Sequence, residues 1–217
     1  MLLDHLRNRY TAKWWEPIPL EDEKIKAIVE CAYLAPSKQG HYDYEIHVIT
    51  NSTVGIEFKQ WLYWENSACL NKVRGAEGIG ARRYNGQVLA PVVMIWLAKK
   101  FENFRNAYQE TNWLRTNNDC IVSATMAMCQ AEELEVQTGF CGCLGGDDIA
   151  NKLNRHGYTA IISVGFGYAI TDYTSIRRVH DSGGNDKGFD LANISPTIRD
   201  IESRKNRPPF QSAITYL

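Results

Sequence analysis

Two short basic segments lie near opposite ends of the sequence. In the first, Arg9 and Lys13 are four residues apart with Thr11 between them, and in the second, Lys205 and Arg207 flank one asparagine. A guanidinium group offers a bidentate fork to a phosphate, an ammonium group adds a point charge, and a hydroxyl adds one more donor. Each segment could therefore converge on an anion, although each alone is more typical of a solvated surface.

A glycine-rich stretch over 138–146 is the third candidate for a binding element. It contains four glycines, of which Gly145 and Gly146 are the last two. Glycines let the backbone approach a ligand closely, and successive unpaired amides can donate to an electronegative atom. Cys141 and Cys143 lie in the same stretch, but no second Cys or His pair stands at the spacing of a zinc site. We interpret these two cysteines as structural thiols.

Two other patterns favour ordinary structure over chemistry. The glycines at 165 and 167 end an apolar strand instead of opening a helix, so they lack the context of a dinucleotide-binding fingerprint. The adjacent His, Asp and Ser at 180–182 do not by their adjacency form a catalytic triad, and the glycines that follow predict a loop.

Hydrophobic periodicity predicts a chain that alternates helices and strands. Apolar residues at helical spacing follow an acidic start at Glu21, and Pro36 ends the pattern. Alternating apolar and polar residues, or short apolar runs, indicate strands. The predicted helices cover 20–35, 52–70 and 119–134, with another beginning at Asp147; the predicted strands cover 44–50, 89–98 and 159–169; and 71–86 is predicted as a surface loop.

The domain organisation follows from these elements. The helix over 119–134 carries few charges, so we expect it to be buried almost all round at the centre of the fold. No period is sustained after residue 170, and we expect 170–217 to be an extended arm that docks on the rest. Residues 1–217 are therefore predicted to be one domain of α+β or α/β class with one central sheet.

Composition excludes several classes of protein. The 24 Lys and Arg against 25 Asp and Glu give a charge of -1, which offers no overall attraction to nucleic acid or to a membrane surface. The longest apolar run, 89–98, is too short to span a bilayer, and Asp4 interrupts any apolar leader. The six cysteines are too sparse for a disulfide scaffold. We expect a cytoplasmic protein whose cysteines are thiols.

Taken together and in order, these features resemble the flavin-dependent nitroreductase family over nearly the whole chain. The resemblance implies an α+β fold of three layers, with a central, mostly antiparallel sheet flanked by helices. It also implies an intertwined homodimer that binds FMN at the subunit interface. The segments that carry it are 9–13 before two tryptophans, 32–37, 90–93, Asp119 with Ala131, a glycine-rich turn over 139–146, 164–168 and 205–207.

The resemblance implies a role for each binding segment. The two basic segments would surround the FMN phosphate, except that Lys13 would lie near the pyrimidine edge of the flavin, where a cation stabilises negative charge. Backbone amides around Gly145 and Gly146 would face the flavin N5 atom, and residues 36–38 would come from the partner subunit. The cofactor-binding residues implied are Arg9, Tyr10, Thr11, Lys13, Pro36, Ser37, Lys38, Gln39, Asn85, Gly145, Gly146, Lys205 and Arg207.

Two of the implied contacts stay open between alternatives. The family often carries Asn and then Gln-Pro-Trp after the Pro-Ser element, whereas this chain has other residues at 40–44, so Gln39 or His41 could take over that contact. The family Asn before the second strand corresponds to Arg83 or to Asn85.

The activity that the resemblance implies is that of an FMN-dependent oxidoreductase. It would take hydride from NAD(P)H onto flavin N5 and pass reducing equivalents to an oxidised small-molecule acceptor such as a nitroaromatic or a quinone. The flavin would carry the chemistry, so we expect no catalytic side chain and no metal. The alternatives are a relative that uses reduced flavin with oxygen or dehalogenates an aromatic substrate, and a flavin-binding module without catalysis.

Overall fold

The computed structural model describes residues 9, 11–12, 14–66, 86–101, 107–142 and 144–170. Helices and strands alternate along these segments, as the periodicity predicts. The helices are α1 (Asp22–Tyr33), α2 (Thr53–Trp61), α3 (Ala107–Glu133) and α4 (Gly146–Lys152), and the strands are β1 (Tyr44–Ile49), β2 (Val92–Lys99), β3 (Gln137–Cys141) and β4 (Tyr158–Gly167).

The four described strands form one antiparallel sheet in the order β1-β2-β4-β3. The two central strands pair Val92 with Phe166, and the register shifts at a bulge between Trp96 and Leu97. At the other side of β4, Thr138 of β3 pairs with the same Phe166. The prediction of a central, mostly antiparallel sheet is confirmed.

Helices cover both faces of the sheet, which makes three layers. Successive side chains of a strand point to opposite faces. In β2, Met94 and Trp96 pack with α1 and α3, whereas Val93 and Ile95 pack with α2 and α4. Because both faces of β2 are buried, this strand needs apolar residues at every position. That requirement explains the uninterrupted apolar run in the sequence.

A buried lysine fixes α2 to the start of β2. Lys59 is only 3% exposed, and its ammonium group donates to the Asn51 side chain, to the Ala90 carbonyl at 2.9 Å and to the Pro91 carbonyl at 3.1 Å. Burial lowers the pKa of Lys59 to about 8. Three acceptors match the three donors of an ammonium group, so the cost of burying it is offset by hydrogen bonds.

The longest helix differs from its prediction in two respects. It begins at Ala107 instead of 119, because polar residues in its first turns hide the helical period. Only one of its faces is buried, and Leu114, Ile121 and Met126 on the other face are 56%, 39% and 37% exposed. The helix is apolar on both faces, while the described segments cover only one. Neither α3 nor another helix in the described segments is long and apolar enough to cross a membrane.

The glycine-rich stretch also differs from its prediction. Residues 138–141 belong to the edge strand β3, where a turn was expected. The reason is a close approach between backbones: a Cβ on Gly139 would lie 2.5 Å from the Ala12 carbonyl oxygen. Glycine here therefore makes room for a neighbouring segment, and the bend comes only after Cys141.

Candidate functional site

The first basic segment lies along β3. Thr11 forms a parallel bridge with Thr138, and the Ala12 amide donates to the Thr138 carbonyl at 2.8 Å. The Arg9 guanidinium also reaches the Thr138 hydroxyl, so Arg9 and Thr11 both contact Thr138. The structure thus places these two predicted residues together at the beginning of β3.

Trp15 anchors this segment to the sheet. Its side chain is 4% exposed, and its indole N–H donates to the Gly86 carbonyl at 3.0 Å. The Glu16 amide donates to the Tyr168 carbonyl at 2.8 Å, and the Ile170 amide donates to the Trp14 carbonyl at 3.1 Å. These bonds join residues 14–16 to Gly86 and to the end of β4, next to the segment that carries Arg9 and Thr11.

A short polar chain runs from Arg9 to the last turn of α3. The Arg9 guanidinium donates to the hydroxyl of Thr138 at 3.5 Å, and this hydroxyl donates to a carboxyl oxygen of Glu132 at 3.4 Å. Both distances are long for hydrogen bonds, so Arg9 is held loosely. Thr138 and Glu132 were not among the predicted site residues; a hydroxyl inside the glycine-rich stretch was the one signal for the former.

The carboxyl group of Glu132 has a shifted pKa. Burial raises it to about 7, although the positive charge of Arg9 and the hydrogen bond from Thr138 act in the opposite direction. Cys129, one turn earlier on α3, has its pKa raised by burial and partly lowered by Arg9. The carboxyl of Glu132 therefore keeps its proton to a higher pH than an exposed glutamate does, and it neutralises Arg9 only in part.

The predicted segment 36–39 lies against the middle of α3. The Ser37 hydroxyl donates to Asp119 at 2.6 Å, and the Lys38 amide donates to both oxygens of the same carboxylate at 3.3 Å. The side-chain oxygen of Gln39 accepts a hydrogen bond from Arg115 at 3.3 Å. Gln39 has a φ of 58°, a strained value for a residue with a side chain, and the contacts to α3 stabilise it.

These two groups of predicted residues lie at different places on one helix. Asp119, which holds Ser37, precedes Glu132 by 13 residues of α3. At 1.5 Å per residue the separation along the helix axis is about 20 Å. The structure of one chain therefore does not bring Ser37 to Arg9.

The predicted glycine pair lies at the start of α4 and is held by Asn66. The Gly145 amide donates to the Asn66 side-chain oxygen at 3.1 Å, and the Asn66 amide group donates back to the Gly145 carbonyl at 3.2 Å. Next to the turn, Asp147 pairs with Lys100 at 2.7 Å, and hydrogen bonds from Lys100 and Thr159 lower the pKa of the Asp147 carboxyl. Sequence reasoning missed Asn66, which is 79 residues away from its partner.

Five predicted site residues lie outside the described part of the chain, as does the predicted arm over 170–217 beyond its first residue, Ile170. Pro36 is described and exposed, like its neighbours Lys38 and Gln39. Within the described segments, no group of three His, Cys, Asp or Glu side chains could hold a metal ion. The five residues outside are Tyr10, Lys13, Asn85, Lys205 and Arg207.

Comparison with protein families decides where this arrangement belongs. The model of the nitroreductase family matches residues 6–168, about three quarters of the sequence. The chain belongs to the nitroreductase family. The match covers the segment with Arg9 and Thr11, the loop with Ser37, the whole sheet and the Gly145 turn, so a nitroreductase core contains every described candidate residue.

Solved structures share the nitroreductase fold. A nitroreductase family protein from Clostridium difficile 630 superposes with a TM-score of 0.61 at 16% identity, covering 100% of this chain and 97% of that one. An FMN-dependent nitroreductase from Clostridium difficile R20291 gives 0.58 at 21% identity, covering 78% and 88%. A nitroreductase with bound FMN from Desulfitobacterium hafniense DCB-2 gives 0.56 at 19% identity, covering 79% and 90%. A search of curated proteins found no match.

Proposed function

We propose that this chain is an FMN-dependent oxidoreductase that holds the phosphate of FMN with Arg9 and Thr11. The observation that carries the proposal is the loosely bound guanidinium of Arg9 at the start of β3, beside a threonine hydroxyl. Membership in the nitroreductase family supports the class of cofactor. Lys205 and Arg207 would complete the phosphate site, Tyr10 and Lys13 would lie beside it, and Asn85 would contact the flavin.

The described residues fit the phosphate end of FMN. A guanidinium group and a hydroxyl are the donors that a phosphate prefers, and the residues that carry them, Arg9 and Thr11, both contact Thr138. Glu132 is the one carboxyl group joined to Arg9 through Thr138 in the described segments, and its raised pKa limits its negative charge. The donors are therefore compatible with a dianion.

In this proposal the side chains bind and orient the cofactor. Arg9 and Thr11 hold the phosphate, and the Gly145–Gly146 turn meets the flavin ring. When bound, FMN supplies the redox chemistry, so the chain needs no nucleophilic side chain. We further propose NAD(P)H as the electron donor and an oxidised small molecule, such as a nitroaromatic or a quinone, as the acceptor. Anaerobic mixing of the flavin-loaded protein with NADH or NADPH tests the donor, because flavin absorbance falls only if that donor reacts.

We also propose that the chain is a homodimer in which each subunit completes the site of the other. Two observations support this. The exposed apolar face of α3 needs a cover, and a second copy of the same helix would provide one of matching chemistry. The loop with Ser37 is also about 20 Å along α3 from Arg9, so this loop would reach a cofactor only in the partner.

The remaining features fit one folding unit. We propose that 170–217 belongs to the same domain as an arm, because Lys205 and Arg207 must return to the phosphate held by Arg9. Cys31, Cys120 and Cys129 are thiols. Reduced cysteines support the proposal of a cytoplasmic location.

Replacement of the arginine tests the phosphate site. Arg9→Ala removes charge-assisted hydrogen bonds, each of which contributes about 1.5–3 kcal/mol, so the Kd for FMN should rise about 10- to 100-fold. Arg155→Ala is the matched control, since Arg155 is exposed and pairs with Glu45 at 2.7 Å, away from β3. Equal FMN affinity in the Arg9 variant and the wild type would show that the phosphate binds elsewhere.

A further inference from the structure

The side chain of Asn66 forms two reciprocal hydrogen bonds with the peptide groups of Gly145, as a neighbouring strand would. Its carboxamide donates one hydrogen bond to Gly145 and accepts one from it, at 3.2 and 3.1 Å, and the side chain is 1% exposed. A reciprocal pair fixes both the distance and the orientation of the peptide that it holds. The position of the Gly145 peptide therefore depends on one side chain.

The backbone turn that carries Asn66 is packed into the core. Asn66 ends a π-helical turn, Leu62–Asn66, in which Leu62 and Tyr63 are fully buried against the sheet. This turn continues α2, which the three hydrogen bonds of Lys59 fix to the start of β2. The carboxamide of Asn66 thus lies at the end of a buried support.

The turn itself has no room for side chains. A Cβ on Gly145 would lie 2.8 Å from the amide nitrogen of Asn66, and a Cβ on Gly146 would lie 2.5 Å from the Ala160 carbonyl oxygen. The Gly145 carbonyl also accepts the first hydrogen bond of α4, from Ile149 at 3.1 Å. The turn is therefore held between Asn66 on one side and β4 on the other.

We propose that Asn66 is a positioning residue of the cofactor site, which acts through Gly145 by fixing the height of the Gly145–Gly146 turn above β4. This inference rests on the proposed function, in which that turn meets the flavin ring. It adds a residue that sets where the backbone contacts the cofactor. Without the carboxamide the turn can move. The ratio of the protein's affinities for oxidised and reduced FMN then changes.

The test compares Asn66→Leu with Asn151→Leu. Leucine has the same branching and the same number of side-chain heavy atoms as asparagine, but it forms no hydrogen bonds, so the first variant removes both hydrogen bonds and keeps the shape of the side chain. Asn151 is exposed on α4 and does not contact Gly145, so the second variant makes the same chemical change beside the turn. Hydrogen exchange of the Gly145 amide in the FMN-free protein should become at least tenfold faster in Asn66→Leu and stay unchanged in Asn151→Leu.

The midpoint potential of bound FMN separates positioning from a merely structural role. In Asn66→Leu the ratio of the affinities for oxidised and reduced FMN should change at least tenfold, which is about 30 mV for a two-electron couple. Asn66→Ala also removes both hydrogen bonds to Gly145, so its Gly145 amide should exchange faster than in the wild type; this variant tests the clamp if Asn66→Leu folds poorly.

Two different failures can be told apart. If Asn66→Leu binds FMN with the wild-type potential while its Gly145 amide exchanges faster, Asn66 only supports the fold and this inference is wrong. If the wild-type protein does not bind FMN, the proposed function fails, and the inference fails with it.

Discussion

Replacement of Glu132 by glutamine should make the protein more stable, in a way that depends on pH. Glutamine resembles the protonated carboxyl group in size and polarity, and it stays neutral at every pH. Burial raises the pKa of Glu132 from 4.5 to about 7 in the folded chain, against the partial opposition of Arg9. The folded state therefore holds more protons than the unfolded state between these two values, and stability falls as the pH rises through this window.

The magnitude follows from the same shift. A rise from 4.5 to about 7, at 1.36 kcal/mol per unit, sets an upper bound of about 3 kcal/mol on the destabilisation above pH 7. Because solvent screens the charge of a half-buried carboxyl group, the penalty should be about 1–2 kcal/mol. Glu132→Gln lacks this penalty, so it should be more stable than the wild type by about 1–2 kcal/mol at pH 8 and equally stable near pH 4. In the proposed site the same change removes a negative charge near the FMN phosphate, so FMN should also bind more tightly at pH 8.

Urea unfolding of the FMN-free protein at several pH values measures this difference, at one fixed protein concentration. Glu133→Gln is the matched control, because Glu133 follows directly on α3 and is exposed. A stability gain that is the same at pH 4 and pH 8 would show that packing causes it. No gain at pH 8 would refute the reasoning about the buried carboxyl group.

Two further predictions concern the exposed helix face and the buried lysine. The double variant Ile121→Asp, Met126→Asp places charges on the exposed face of α3 and should sediment as a monomer. The control Ile18→Asp, at a residue that is 50% exposed outside α3, should leave the dimer intact. A dimer formed by the double variant would show that the interface lies elsewhere. Lys59→Met leaves the carbonyls of Ala90 and Pro91 without their donor and should lower the free energy of unfolding by about 2–4 kcal/mol, measured by urea unfolding; unchanged stability would mean that the lysine's hydrogen bonds only balance the cost of burying it.

Much of the fold is readable from the sequence, because its pattern matches its burial. Helix α1 has apolar residues on one face only, and β2 is apolar throughout since both of its faces are covered. The start of α3 was missed because the residues after Ala107 are mostly polar, although they are helical in the structure. Gly139 predicts a turn, because glycine usually weakens strands. In the structure it lies within β3, where the missing side chain leaves room for the backbone of Ala12.

The candidate site was less readable, because its contacts join residues far apart in the chain. Arg9 and Thr11 could be singled out by type, yet their neighbour Thr138 lies more than a hundred residues away. Asn66 and Gly145 pair across 79 residues, and nothing local to Asn66 distinguishes it from a surface asparagine. Such residues are selected by geometry in three dimensions, which periodicity does not encode.

The visible absorption spectrum of the purified full-length protein tests the proposed flavin chemistry most directly. A protein that holds FMN at Arg9 should be yellow, or become so on titration with FMN, and should saturate at one FMN per chain. A colourless protein that does not take up added FMN would contradict the proposed function.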